Sequence, residues 1–485
     1  SSPEDVDTTT LTSRKRTQGD AMNDLATSLA NVVGAGNVEV GEAINEAHTH
    51  DEALGVEPVM PAAVVHPATA SEVAAVLALA TEHAAGVTAR GSGTGLSGAC
   101  TPVPGGIVVA FDRMCDIIEI DTDNHLVVVQ PGVTLAQLDE ALAPLDLVYP
   151  VFPGEYSASI GGNVSTNAGG MRAVKYGVTR HHVLGLEAVL ATGEVIRTGG
   201  RVVKTSTGYD LTQLIIGSEG TLALVTEAVL RVYPRAPHGA TVLAPFATLE
   251  QVTAAVPQVV GSGVGPLILE YIDMLTMSAA TAYVGLDLGI PSEVTDTALA
   301  YLVVSLESTH TDRLDQDVAS VAELLDGLGA MDVYVLPPSA AASLIDAREK
   351  AFWVAKANNA DDIVDVVIPR ASMPEFMAAV QRIADGSASW IAGCGHAGDG
   401  NVHLGVFQAD PVVRRQVLLD LFRAGMDLGG VISGEHGLGT AKSGYFLELE
   451  DPAKIALMRR IKEAFDPRGI LNPGTILNDA KADLL

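Results

Sequence analysis

RGSGTGLSGA, residues 90–99, decides how the rest of the chain is read. It directly follows PAAVVHPATASEVAAVLALATEHAAGVTAR (61–90), where a short apolar strand, a helix and a second strand ending at Arg90 predict a β-α-β opening. Thr69 and Glu72 have capping-box spacing at the start of that helix. Four glycines with Ser92, Thr94 and Ser97 in ten residues suit a loop whose backbone N–H groups converge on a phosphate, because glycine permits close approach and positive φ. The loop lacks the Gly-Lys-Ser/Thr of a Walker motif and no helix opens at its end, so taken alone a structural turn accounts for it equally well.

Further along, FPGEYSASIGGNVSTNAGGMRAVKYGVTRHHVLGLEAVL (152–190) again replaces core residues with Gly, Ser, Thr and Asn. A loop this long inside a compact domain usually has a function. Two such loops clamp a large, flat, extended ligand, one cradling a pyrophosphate and the other lying along rings, which is the shape of a dinucleotide. A third stretch, TSTGYDLTQLIIGSEGTLALVTEAVL (205–230), sets Gly217, Gly220 and Thr221 before an apolar strand.

The chain of 485 residues, 48% hydrophobic, is long enough for two or three lobes with large cores. Its 59 acidic against 29 basic residues give a formal charge of −30, which argues against nucleic acid as a partner and requires a locally positive pocket for any anionic substrate. Cys100, Cys115 and Cys394 form neither a disulfide framework nor a Cys-ligated zinc site, and no apolar stretch is long enough to span a bilayer. A cytoplasmic protein is expected, with peripheral docking on the inner face of a membrane left open.

Composition divides the chain into a polar leader at 1–20, a sheet domain with Gly-rich loops at 21–236, and an α+β cap at 237–445. The cap alternates Ala-rich helices with strands such as YLVVSL and DVVIP. In the tail at 446–485, a helix ended by Asp466-Pro467 is expected to return to the first lobe. The Ala-rich cap surface suggests a homodimer.

Two later segments carry the chemistry. GHAGDGNVH (395–403) sets His396 and His403 seven residues apart around a Gly-Asp-Gly turn, and SGEHGLG (433–439) holds Glu435 beside His436. Two imidazoles and a carboxylate make a mixed N/O set suited to zinc, manganese or iron; any one of these histidines alone reads as a hydrogen-bonded loop residue.

RGSGTGLSGA, SIGGNVSTNAGG, YGVTRHHVLGLEAVLATGEV, TGYDLTQLIIGSEGTLALVTEAVL, GHAGDGNVH, GEHGLG and FDPRGILNPG together resemble, in order and over about residues 60–480, the vanillyl-alcohol oxidase and p-cresol methylhydroxylase (PCMH) flavoprotein superfamily. Within it they resemble the branch of D-lactate dehydrogenase, the glycolate oxidase flavin subunit and D-2-hydroxyglutarate dehydrogenase. The resemblance implies a two-lobed fold: a PCMH-type FAD-binding domain, an α+β substrate (cap) domain and a C-terminal helical segment. It implies that Arg90, Gly91, Ser92, Gly93, Thr94, Gly95, Leu96 and Ser97 hold the FAD pyrophosphate. Pro153, Gly154, Ile160, Gly161, Gly162, Asn163, Thr166, Asn167, Gly220, Val225 and Asn472 would line the rest. Thr94 stands where some relatives tether the flavin through a histidine, so the FAD is expected to be non-covalent.

The resemblance further makes His396, His403 and Glu435 the ligands of a divalent metal, His436 the catalytic base and Arg348 the grip on the substrate carboxylate, with Lys356 as a second candidate. On its own, Arg348 reads as a helix residue paired with Asp346 or Glu349. The expected reaction is oxidation of a D-2-hydroxy acid to the 2-keto acid, the base taking the hydroxyl proton while hydride passes to flavin N5. Phe352 and Ile363 stand about where the D-2-hydroxyglutarate enzymes carry Thr and Lys, and Gly405 where they carry Asn. A monocarboxylate such as D-lactate is therefore preferred over a dicarboxylate, with D-2-hydroxyglutarate or glycolate dehydrogenase as the alternatives. A non-redox enzyme like alkyl-dihydroxyacetonephosphate synthase, a non-catalytic flavin subunit and a metal hydrolase stay as alternatives. The electron acceptor, whether quinone, cytochrome or electron-transfer flavoprotein, is open.

Overall fold

The computed structural model describes residues 24–478, so the leader expected at 1–20 lies outside the described residues. The first lobe carries two sheets. One has the order Val38–Val40, Ala63–Val65, Ile107–Ala110, Val87–Arg90, and is parallel except at its Val38–Val40 edge. The expected β-α-β opening is present with helix Ala70–Glu82, but its two strands are not neighbours. Ile107–Ala110 lies between them, because its run of buried apolar residues fills the centre that a parallel sheet covers on both faces. Thr69 Oγ1 accepts the Glu72 N–H at 3.2 Å, whereas Glu72 reaches back one residue too far for a reciprocal box and accepts from Ala68 N–H at 2.7 Å.

The second sheet is antiparallel, in the order Ile117–Asp121, Leu126–Val129, Leu224–Arg231, Val183–Val189, Val195–Gly199. Against it packs a helix, Ile160–Thr166, inside a stretch whose composition reads as loop. Ile160 and Val164, one turn apart and fully buried, fix the helical face. The glycines lie where the backbone crowds its neighbours: a Cβ at Gly161 would meet Pro131 Cβ at 2.6 Å.

The second lobe is a seven-stranded antiparallel sheet, in the order Tyr334–Leu336, His238–Phe246, Ala300–Ser308, Ile268–Asp273, Trp390–Gly395, Asn401–Phe407, Asp362–Val367. Strand alternation divides its cores. Val242, Ala244 and Phe246 face helices Leu249–Gly261, Thr311–Gly327 and Met373–Ser387, while Leu243 faces the side of Met274–Val284 and Pro338–Glu349. The tail does return to the first lobe. After helix Pro452–Phe465, Val87 donates its N–H to Ile470 O and accepts from Asn472 N–H, both at 2.7 Å.

Candidate active site

The turn between Trp390–Gly395 and Asn401–Phe407 brings His396 and His403 together. Gly400 at φ +85° closes it, and a Cβ there would lie 1.9 Å from Ile368 O. On the neighbouring strand Asp365 stands directly opposite His403. This carboxylate, fully buried, organises the loop that carries Glu435 and His436. Its Oδ2 accepts from the N–H groups of Gly434 (3.1 Å), Glu435 (3.0 Å) and His436 (2.8 Å) and from the Ser433 hydroxyl (2.8 Å), and its Oδ1 accepts from Asn401 Nδ2 (2.8 Å). Burial raises its pKa, but His436, Lys442 and His403 outweigh that and hold it well below the usual carboxylate range.

Glu435 Oε2 lies 3.3 Å from His396 Nε2 and 3.7 Å from His403 Nε2, and the two imidazoles meet edge to face at 4.9 Å. The other oxygen of Glu435 accepts the Gly170 N–H from the second glycine-rich segment. On its other side, His396 Nδ1 lies 2.7 Å from Glu270 Oε1, the kind of carboxylate backing that fixes an imidazole for metal binding, while His403 Nδ1 stands 3.7 Å from Asp365 Oδ1, beyond hydrogen-bond distance. Burial and then the His396 charge push His403 well below its ordinary pKa, while His396, opposing burial, holds Glu435 down at about 2. His396 itself is held well above its ordinary pKa, against burial, by Glu270 and Glu435; the neutral His403 and ionised Glu435 fit a divalent ion, which on binding would take the place of the His396 proton.

His436 stacks on His403, centroids 5.1 Å apart at 27°, and its buried Nδ1 has no hydrogen-bond partner. Burial lowers its pKa, which favours the neutral ring. Arg348 is 8% exposed; its Nη2 lies 2.7 Å from Glu270 Oε2 and its Nε is unpartnered. So the partner is neither of the neighbours expected on the helix but Glu270, on a strand of the sheet beneath. All five groups border a cavity of about 120 Å³, whose wall also includes Phe352, Ile363 and Gly405. Lys356 does not line it. Its Nζ lies 2.6 Å from Glu52 at the surface.

Gly91 to Ser97, with Pro153, Gly162, Asn163 and Thr166, border a second cavity of about 140 Å³. A third, of about 70 Å³, is bordered by Gly161, Gly220, Val225 and Asn472. The first two share Leu96, Pro153, Glu435 and His436, so the glycine-loop space and the histidine space adjoin; Gly154 faces the histidine side. Three expected cofactor residues stand off these walls. Arg90 turns back beneath the loop to donate to His50 O at 2.6 Å, Ile160 is sealed in the core, and Asn167 Oδ1 accepts the Arg180 N–H at 3.0 Å. Cys100 lines both glycine-side cavities, but burial pushes its thiol up to about 12, so no nucleophilic thiolate is offered.

Four buried or half-buried acids escape a reading by motif: Asp365, Glu270, Glu219 and Asp51. Asp365 and Glu270 interrupt the apolar strands DIVDVV and ILEYID, and that interruption is the available signal, since a charge buried in a strand must be paired. Asp51 accepts the N–H groups of Gly98 (3.2 Å) and Cys100 (3.3 Å), fixing the first glycine loop from below. Glu219 accepts from Leu438 and Gly439 N–H, each at 2.8 Å, tying the third Gly-rich stretch to the Glu435 loop. Burial, opposed by those N–H groups, raises Glu219 to about 7 from 4.5. The folded chain thus holds this proton more tightly than the unfolded one, and the stability it contributes, full below 4.5, is lost as pH rises through 7. Glu219→Gln is expected to flatten that part of the melting-temperature profile between pH 4.5 and 8; a profile parallel to wild type would refute it.

Residues 61–199 match a model of the FAD binding domain, and residues 235–476 match the C-terminal domain of FAD linked oxidases. The chain is 57% identical over 458 residues to an uncharacterised FAD-linked oxidoreductase of Mycobacterium tuberculosis, covering 94% of this chain and 100% of that protein. It is 36% identical to the D-lactate dehydrogenase of Anaerostipes hadrus (90% of this chain, 94% of that protein) and 34% identical to the glycolate oxidase subunit GlcD of Bacillus subtilis (93% and 96%). Substrate-bound p-cresol methylhydroxylase shares the fold with a TM-score of 0.77 at 19% identity, over 94% of this chain and 97% of that one. Two FAD-oxidase domains in sequence, on a PCMH-type fold whose glycine loops converge, place the chain in the FAD-linked oxidoreductase family, on the branch of the D-lactate dehydrogenases and glycolate oxidase flavin subunits.

Proposed function

We propose that the chain oxidises a D-2-hydroxy monocarboxylate, D-lactate or a close analogue, to the 2-keto acid. The observation that carries this reading is the convergence of His396, His403, Glu435, Arg348 and His436 on one cavity that adjoins the glycine-loop space. FAD, held non-covalently, would supply the hydride acceptor, and a divalent ion held by His396, His403 and Glu435 would supply an electrophile toward the hydroxyl oxygen. Arg348 grips the carboxylate with donors that Glu270 leaves over. His436 takes the hydroxyl proton as the Cα hydride departs, so the substrate loses two electrons and two hydrogens and becomes the keto acid.

Arg348 is the only Lys or Arg among the described residues on this wall, which provides one cation for one carboxylate. A second substrate carboxylate would meet Phe352, Ile363 and the half-buried acid Glu349. The similarity to GlcD makes glycolate the second reading. Anaerobic titration of the FAD-loaded, metal-replete protein with D-lactate, L-lactate, glycolate and D-2-hydroxyglutarate tests both. Bleaching of the flavin band by D-lactate, abolished by chelation, is expected. Preferential bleaching by D-2-hydroxyglutarate or L-lactate would overturn the reading, and preference for glycolate would select the second.

A further inference from the structure

On the far side of the first glycine loop, Glu39, His48 and His66 form a second group of metal-ligating side chains that the oxidation does not use. Glu39 lies on the edge strand Val38–Val40, His48 in the 3₁₀ turn Glu46–Thr49, and His66 just after strand Ala63–Val65, which pairs with the edge strand. His66 Nε2 is 3.1 Å from Glu39 Oε1 and His48 Nδ1 is 3.3 Å from Glu39 Oε2. One ligating atom from each of the three lies within 4.8 Å of the other two. In a tetrahedral zinc site with bonds of about 2.0–2.1 Å, ligand atoms are about 3.3 Å apart; each imidazole stands near that distance from one oxygen of Glu39, His66 from Oε1 and His48 from Oε2.

The surroundings complete the pattern. His66 Nδ1 is 2.7 Å from Asp112 Oδ1; a ring proton on that side leaves the Nε2 lone pair for an ion held with Glu39. The Asn45 N–H, at 3.0 Å from Glu39 Oε2, orients the carboxylate. The two imidazoles stand edge to face at 5.6 Å, and all three side chains are half-buried. We propose that Glu39, His48 and His66 bind a structural zinc ion, with Asp112 orienting His66.

The ion would clamp the edge strand to the turn that precedes Asp51. Asp51 in turn holds the N–H groups of Gly98 and Cys100, so the clamp steadies the first glycine loop from outside the cofactor space.

The test uses the full chain, FAD-loaded, in a His403→Ala background that removes the active-site set. After saturation with ZnCl₂ and gel filtration, metal analysis is expected to give one zinc per chain and a melting temperature several degrees above the metal-free form. Adding His48→Ala and His66→Ala should remove both. In case that double change impairs folding, Asp112→Asn at the surface gives an independent reading, a zinc affinity weaker by about 10-fold with the fold intact. Zinc stoichiometry unchanged by the histidine substitutions, or affinity unchanged in Asp112→Asn, would overturn the proposal. In otherwise wild-type protein, flavin reduction by D-lactate should stay within twofold after His48→Ala/His66→Ala, which separates this site from the catalytic one.

Discussion

His436→Ala is expected to retain FAD and metal, and to lower kcat for the hydroxy acid by about 10²–10⁴-fold. The size follows from what the side chain alone provides. His436 borders both the cavity with Arg348 and the one beneath the glycine loop, and its buried Nδ1 makes no hydrogen bond, with Asp365 Oδ2 3.8 Å away. Its ring is kept neutral by burial, the form a proton acceptor needs. The loop around it owes its shape to backbone N–H groups on Asp365, which survive truncation of the imidazole. Glu435 therefore stays in place, and the loss falls on kcat with little change in KM. Rapid-reaction flavin reduction, flavin content and metal analysis on one preparation check all three; flavin reduction at the wild-type rate would remove His436 from the chemistry.

The sequence discloses this site unevenly, for a physical reason. Glycine loops and His-x₆-His spacing are local, so RGSGTGLSGA and GHAGDGNVH are legible from composition. Partnerships across strands are not. Nothing between Asp365 and Glu435 in the chain says that seventy residues later a loop will deliver three N–H groups to one oxygen. Arg348 shows the limit from the other side, since its helix neighbours Asp346 and Glu349 are the obvious partners, yet burial turns it to Glu270 on the sheet. The seven-residue helix at Ile160–Thr166 was hidden by its glycines, whose cost in helix propensity is offset by Ile160 and Val164 packing in the core. Lys356, beside Phe352 and Trp353 and paired with Glu52, reads as a pocket residue only along a linear sequence.

Asp365→Asn is expected to have a broader effect than loss of the base, taking metal, turnover and several kcal/mol of stability together. An asparagine fits the space, but its amide has one oxygen. If that oxygen faces Ser433, Gly434, Glu435 and His436, its nitrogen opposes Asn401 Nδ2, itself a donor; if it flips, the nitrogen faces four donors. Either orientation leaves buried polar groups unpaired, and the lost charge also leaves Lys442, whose buried Nζ has no hydrogen-bond partner, with less compensation. Removing one member of a buried charge arrangement costs about 3–5 kcal/mol. The loop that carries Glu435 and His436 is the part released, so metal content should fall with turnover while FAD, held chiefly by the first lobe, remains bound. Denaturant unfolding, metal analysis and flavin absorbance distinguish this from general unfolding, in which flavin would be lost as well. A variant with wild-type metal content and stability would mean that Asp365 does not anchor the loop and that Glu435 is held by its contact with Gly170.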